Sequence, residues 1–213
     1  AEQWGSPDID HTTPTAEAEV TKNLYSCMFC GAGSQTFDAL FGAGNCKQCG
    51  GPASEYGVIK FRELYPNLSE LILIAHAPDT RSEVAGLREK LEVAGLRVVT
   101  LEDIFQFGAT LEHRAEALAV AQEVLTQCKY VVVIPSSQLA EGKGALAFVD
   151  IAQANQVDRG NFKIIPVTLS PGTDGQLPER LTMYQGLDLT HPTLGSKRMQ
   201  KLITDLSKPS MQM

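Results

Sequence analysis

The 213-residue chain has no apolar run approaching the ~20 residues that a bilayer-spanning helix requires; the longest, Tyr130–Ile134, has the length of a strand. A membrane span is therefore not expected. Positive charge is in the minority, with 18 Lys and Arg against 25 Asp and Glu and a net charge of −7. An acidic surface repels phosphate backbones and anionic lipid alike, so neither nucleic acid nor a membrane surface is expected as a partner. Gly (18) and Pro (11) are too few for a low-complexity protein. A hydrophobic fraction of 43% is ordinary for a globular chain and excludes general disorder. Ala1-Glu2-Gln3-Trp4 lacks a basic region followed by an apolar stretch, so no secretion signal is expected. There is no internal repeat.

Cysteine is scarce but patterned. Four of the five fall into two pairs, Cys27-Met28-Phe29-Cys30 and Cys46-Lys47-Gln48-Cys49, with fifteen residues between them. A tetrahedral zinc ion takes four thiolates, and each CxxC turn places two sulfurs on one side of it. Gly31 follows the first pair and Gly50-Gly51 the second, where the backbone must turn its amides toward sulfur. The spacing predicts a structural zinc site on Cys27, Cys30, Cys46 and Cys49. With all four ligands from the protein, no position is left open for catalysis. Reduced thiols also imply a reducing, cytoplasmic compartment.

The organisation expected along the chain has five parts. Residues 1–22 read as a flexible acidic tail containing Trp4, 23–55 as a small zinc ribbon and 56–68 as a linker. Residues 69–207 read as the main domain and 208–213 as a tail. In the main domain, apolar strand runs alternate with amphipathic helices. The strands are Leu71–Ile74, Arg97–Leu101, Tyr130–Ile134 and Phe162–Val167, with a weak edge near Leu187–Leu189. Thr80-x-x-Glu83 reads as a capping box opening a helix that ends at Gly95. Leu111, Ala115, Leu118, Gln122 and Leu125 are expected on the buried face of the next helix, followed by helices at 144–156 and around Met199–Leu206. Cys128, just before a strand, is expected to be a core thiol. The alternation predicts an α/β fold: a flavodoxin-like, three-layer parallel sheet with the zinc ribbon at its N-terminal side.

Five stretches, in order, resemble the Toll/interleukin-1 receptor (TIR) domain family. They are Leu71–Asp79 for the first strand and its loop, Leu91-Glu92-Val93-Ala94-Gly95 for a helix end, and Glu102–Gly108 for the opening of the family's BB loop. Val132-Val133-Ile134-Pro135-Ser136 and Ile164-Ile165-Pro166-Val167 resemble the third and fourth strands. Ala75, Glu102 and Phe107 depart from the family pattern, as in a divergent member.

The resemblance implies a module that works by binding other proteins, including other TIR-like domains or itself, as an adaptor, scaffold or assembly subunit. Phe105, Phe107 and Gly108 are then the candidate contact residues, because two aromatics sit on an uncharged loop. It also implies an alternative, since some members cleave NAD at the nicotinamide–ribose bond using a helical Glu one turn after a Trp. Leu146 and Asp150 stand at the matching positions here. Asp150 is accordingly the candidate catalytic carboxylate, with His76 and Asp103 as candidate cofactor contacts. A third possibility is a structural subunit of a larger complex.

Overall fold

The computed structural model describes residues 23–52, 59–105, 111–141, 149–154, 163–171 and 179–208. The expected tails (apart from Lys208) and the loop residues Phe107 and Gly108 lie outside these.

Two short strands, β1 (Tyr25–Ser26) and β2 (Gly33–Ser34), pair antiparallel around the first cysteine pair. Helix α1 (Phe37–Phe41) follows, and an antiparallel bridge between Asn45 and Pro52 brackets the second pair. Residues 59–64, read from the sequence as linker, form helix α2 (Ile59–Leu64), whose Phe61 is buried and stacks against Tyr65 with ring centroids 4.8 Å apart.

The main sheet contains β3 (Leu71–Ala75), β4 (Arg97–Thr100), β5 (Tyr130–Val133), β6 (Lys163–Thr168) and β7 (Leu187–Asp188). All neighbours are parallel, in the order β4-β3-β5-β6-β7. This is the doubly wound order in which the chain reverses direction beside its first strand, so the crevice beyond the carboxyl ends of β3 and β5 is the switch point. Helices α3 (Arg81–Val93), α4 (Leu101–Phe105), α5 (Leu111–Gln127), α6 (Ser137–Glu141), α7 (residues 149–154) and α8 (Gly195–Ser207) complete the fold.

The strand period of two divides the core cleanly. Leu71, Leu73, Val99, Val131, Val133 and Ile164 point to one side, together with Ala117, Val120 and Val124 of α5. Ile72, Ile74, Val98, Val132 and Val167 point to the other, with Val84, Leu87 and Leu91 of α3 and Leu202 and Leu206 of α8. Helix α3 ends as expected: Gly95 N–H donates to Glu92 C=O at 2.9 Å and Leu96 N–H to Leu91 C=O at 3.1 Å.

Three local expectations are corrected. Helix α5 buries Ala117, Val120, Ala121, Val124 and Leu125, while Ala115, Leu118 and Gln122 face outward. Ala117 and Ala121 take two of the buried positions, and the bulkier Leu118 is left exposed. The capping box at Thr80 does not form; Thr80 Oγ1 instead donates to Ala77 C=O at 3.0 Å, closing the 3₁₀ turn Pro78–Thr80. Finally, the stretch expected to open a loop at Glu102 is helical as far as Phe105, with Ile104 wholly buried.

Candidate functional site: a four-cysteine centre against the switch crevice

Each CxxC segment folds by the same bonds. Gly31 N–H donates to Cys27 C=O (3.0 Å) and Cys27 N–H to Ala32 C=O (2.8 Å); Gly50 N–H donates to Cys46 C=O (2.7 Å) and Cys46 N–H to Gly51 C=O (2.7 Å). Closing these turns takes Gly31 and Gly50 to φ of 78° and 75°, a region that side chains disfavour. The two knuckles then face each other. Cys27 Sγ lies 3.6 Å from Cys49 Sγ, Cys30 Sγ lies 3.7 Å from Cys46 Sγ, and all four sulfurs fall within 4.8 Å of one another.

Four thiolates at about 2.3 Å from a tetrahedral ion stand about 3.8 Å apart, so the observed separations fit a metal ion. They are far longer than the ~2.05 Å of a disulfide, and no cysteine is in one. The thiols share their protons unequally. A hydrogen bond from the Cys27 thiol, aided by the Gly51 amide, pulls Cys49 down to about 5. Donating that bond, with burial, pushes Cys27 up, and burial above all pushes Cys30 up to about 11. A divalent cation would displace the remaining protons.

The knuckles are not an appendage. Cys27, Met28, Phe29, Phe41 and Cys46 are buried in the same core cluster as Leu73, Ala75 and Val133 of the sheet. Burying a large apolar side chain contributes about 1.5–3 kcal/mol, so docking is well supported. Arg81, opening α3, fixes the second knuckle by donating from Nη2 to Gly50 C=O at 2.7 Å, while its Nε meets Glu102 at 2.9 Å.

Between the knuckles and the switch crevice lies a cleft of about 260 Å³. Phe29, Cys30, Gln48 and Cys49 form one wall. Ala77 and Pro78, beyond β3, and Gln138 and Glu141, on α6 beyond β5, form the other.

The candidate cofactor residues are occupied otherwise. His76 is 1% exposed, and its Nδ1–H donates to Ala77 C=O at 2.9 Å. Asp103 Oδ2 accepts from Thr100 N–H (2.8 Å), Thr100 Oγ1 (3.0 Å) and Arg88 Nη1 (2.9 Å). Asp103 N–H returns a bond to Thr100 Oγ1 at 3.2 Å, so Thr100 and Asp103 form a reciprocal cap on α4. Asp150 lies half-buried on α7. Phe105 ends α4, and Phe107 and Gly108 fall outside the described residues. The four cysteines are thus brought together as their spacing predicts, while nothing in the sequence marks Gln48, Gln138 and Glu141 as lining one cleft.

No protein-family model matches the sequence, and no curated protein is similar to it. Similarity emerges in three dimensions. The TIR domain of the Toll-related receptor TRR-2 from Hydra magnipapillata superposes with a TM-score of 0.50 at 18% identity, covering 64% of this chain and 98% of that one. TIR domains of the RPS4–RRS1 heterodimer (TM-score 0.44, 12% identity, 64% and 94% covered) are also similar. So are those of the activated Roq1 resistosome that recognises the effector XopQ (0.48, 15%, 64% and 99%). At such identities the likeness is one of fold. The sheet domain has the flavodoxin-like arrangement of a TIR domain, with a four-cysteine module added to it.

Proposed function

We propose that the chain is a non-enzymatic protein-interaction module, an adaptor, scaffold or assembly subunit in which a TIR-fold domain carries a structural zinc ribbon. The observation that carries this reading is the docking of the knuckles. Their inner face shares the core of the sheet, so metal module and sheet present one composite surface. The settings of His76 and Asp103 support it further: His76 is buried with Nδ1 on the Ala77 carbonyl, and Asp103 holds the start of α4. Zinc is the ion that four thiolates in tetrahedral spacing suit best. The compartment is reducing and cytoplasmic, and the partners are proteins, TIR-like domains or a second copy among them. The segment around Phe105, Phe107 and Gly108 is the proposed contact.

Two measurements on the zinc-loaded chain test the proposal. Phe107→Ala should weaken self- or partner association by about 1–3 kcal/mol with the melting temperature nearly unchanged. Incubation with NAD should release nicotinamide very slowly or not at all. Robust turnover that Asp150→Asn abolishes would replace this proposal with that of a NAD glycohydrolase.

A further inference from the structure

We infer that the cleft between the knuckles and the switch crevice binds a small organic cation bearing N–H donors, such as a guanidinium or primary ammonium compound. The charge of its knuckle wall rests on the zinc proposal above. Four thiolates around a divalent ion keep a net charge of about −2. Cys30 and Cys49, the two half-exposed ligands, line the cleft, and Glu141 stands exposed on the opposite wall. Among the described lining residues there is no Lys, Arg or His. Negative charge on both walls disfavours phosphates and attracts cations.

The neutral lining agrees with this. Gln138 Oε1 is buried beside the cleft without a hydrogen-bond partner. An unpaired buried carbonyl is costly, and turning this one toward an N–H donor in the cleft would sacrifice no bond of its own. Gln48 offers a second amide carbonyl across the gap. Phe29, Ala77 and Pro78 supply apolar surface for the flat or methylene part of such a ligand. Drug-sized ligands occupy roughly 300–1,000 Å³. The cleft, at about 260 Å³, takes something smaller.

The place is also the one where open α/β sheets bind ligands, outside the carboxyl ends of the strands at the switch point. Here, however, half of the lining comes from the cysteine module. Its charge reverses the usual preference of such crevices for phosphate groups.

The test is calorimetric titration of the zinc-loaded 213-residue chain with agmatine as probe, and with AMP as an anion of the size such crevices commonly hold. The metal content of the same sample is measured alongside. Saturable agmatine binding is expected, with little or none for AMP. Glu141→Gln and Gln138→Leu should each weaken agmatine about tenfold, whereas Glu70→Gln, the same charge change at the amino end of β3, should not. Absence of saturable binding to zinc-loaded protein, equal weakening by Glu70→Gln, or AMP competing agmatine away would overturn the inference while leaving the zinc proposal standing. Protein that refuses zinc yet binds agmatine undiminished would overturn both the zinc proposal and the charge basis of the inference.

Discussion

The ring of Phe29 lies where the side chain of residue 51 would begin: a Cβ added at Gly51 would stand 2.5 Å from Phe29 Cδ2. Phe29 belongs to the first knuckle and Gly51 to the end of the second, so this contact sets how closely the two halves of the metal site approach. The ring is 3% exposed and has core on its other side, so it cannot swing away freely. Gly51→Ala should therefore cost about 1–3 kcal/mol, seen as a lower melting temperature and faster zinc loss to a chelator. Unchanged values for both would mean that the knuckles tolerate separation.

The reciprocal cap between Thr100 and Asp103 holds the start of α4. Thr100→Val keeps the shape of the buried side chain but removes the hydroxyl, and should cost about 1–2 kcal/mol. Asp103→Ala also removes one of the two carboxylate partners of Arg88 and should cost at least as much. Because the two residues act as one device, the double variant should be less destabilised than the sum of the singles. Strict additivity in denaturant titrations would refute a shared cap.

One zinc per chain is expected by elemental analysis of reduced protein, held by Cys27, Cys30, Cys46 and Cys49. Thiolates bind metal only when deprotonated, so acid or a strong chelator should release it. Since the knuckles share the main core, release should also lower the cooperative melting of the sheet domain rather than melt a separate unit. Two independent transitions in calorimetry, with the larger unmoved by zinc removal, would contradict that coupling.

Burial pushes the His76 imidazole below its usual range; the Ala77 carbonyl and the carboxylates of Glu102 and Asp103 only partly oppose this. In the unfolded chain it takes a proton near pH 6.5. Between that value and its lower folded value the unfolded state binds more protons, so stability falls as pH drops below about 6.5, by up to about 1.4 kcal/mol per pH unit. His76→Gln, compared with the parent at matched zinc loading, should flatten this slope. An unaltered slope would assign the acid sensitivity to the thiolates.

Much of the sheet was legible in the sequence because strands buried on both faces read as unbroken apolar runs, as at Leu71–Ile74 and Tyr130–Val133. The cysteine centre was legible because ligand geometry constrains spacing directly. The capping boxes were not: Thr80-x-x-Glu83 and Thr100-x-x-Asp103 satisfy nearly the same pattern, yet only the second closes. Glu83 is drawn away by Ser82 and Ser170, and Ser170, just beyond the carboxyl end of β6, is 87 residues away in sequence, so no local window contains it. The face of α5 was misplaced because two of its buried positions, Ala117 and Ala121, are alanines, which carry little apolar weight. The cleft was invisible for a simpler reason. Its walls, Cys30 and Gln48 on one side and Gln138 and Glu141 on the other, meet only after the sheet has brought distant segments together.

The position of the knuckles in the chain has a consequence for biosynthesis. Residues 27–49 leave the ribosome before any strand of the main sheet exists, and they can gather a metal ion as soon as they emerge. Their apolar side, with Met28, Phe29 and Phe41, finds its covering only when segments as late as Leu139 and Ile164 have been made. The knuckles can therefore take shape before the sheet that seals them, and during that interval they offer an adhesive patch to whatever chaperone or sister chain stands nearest.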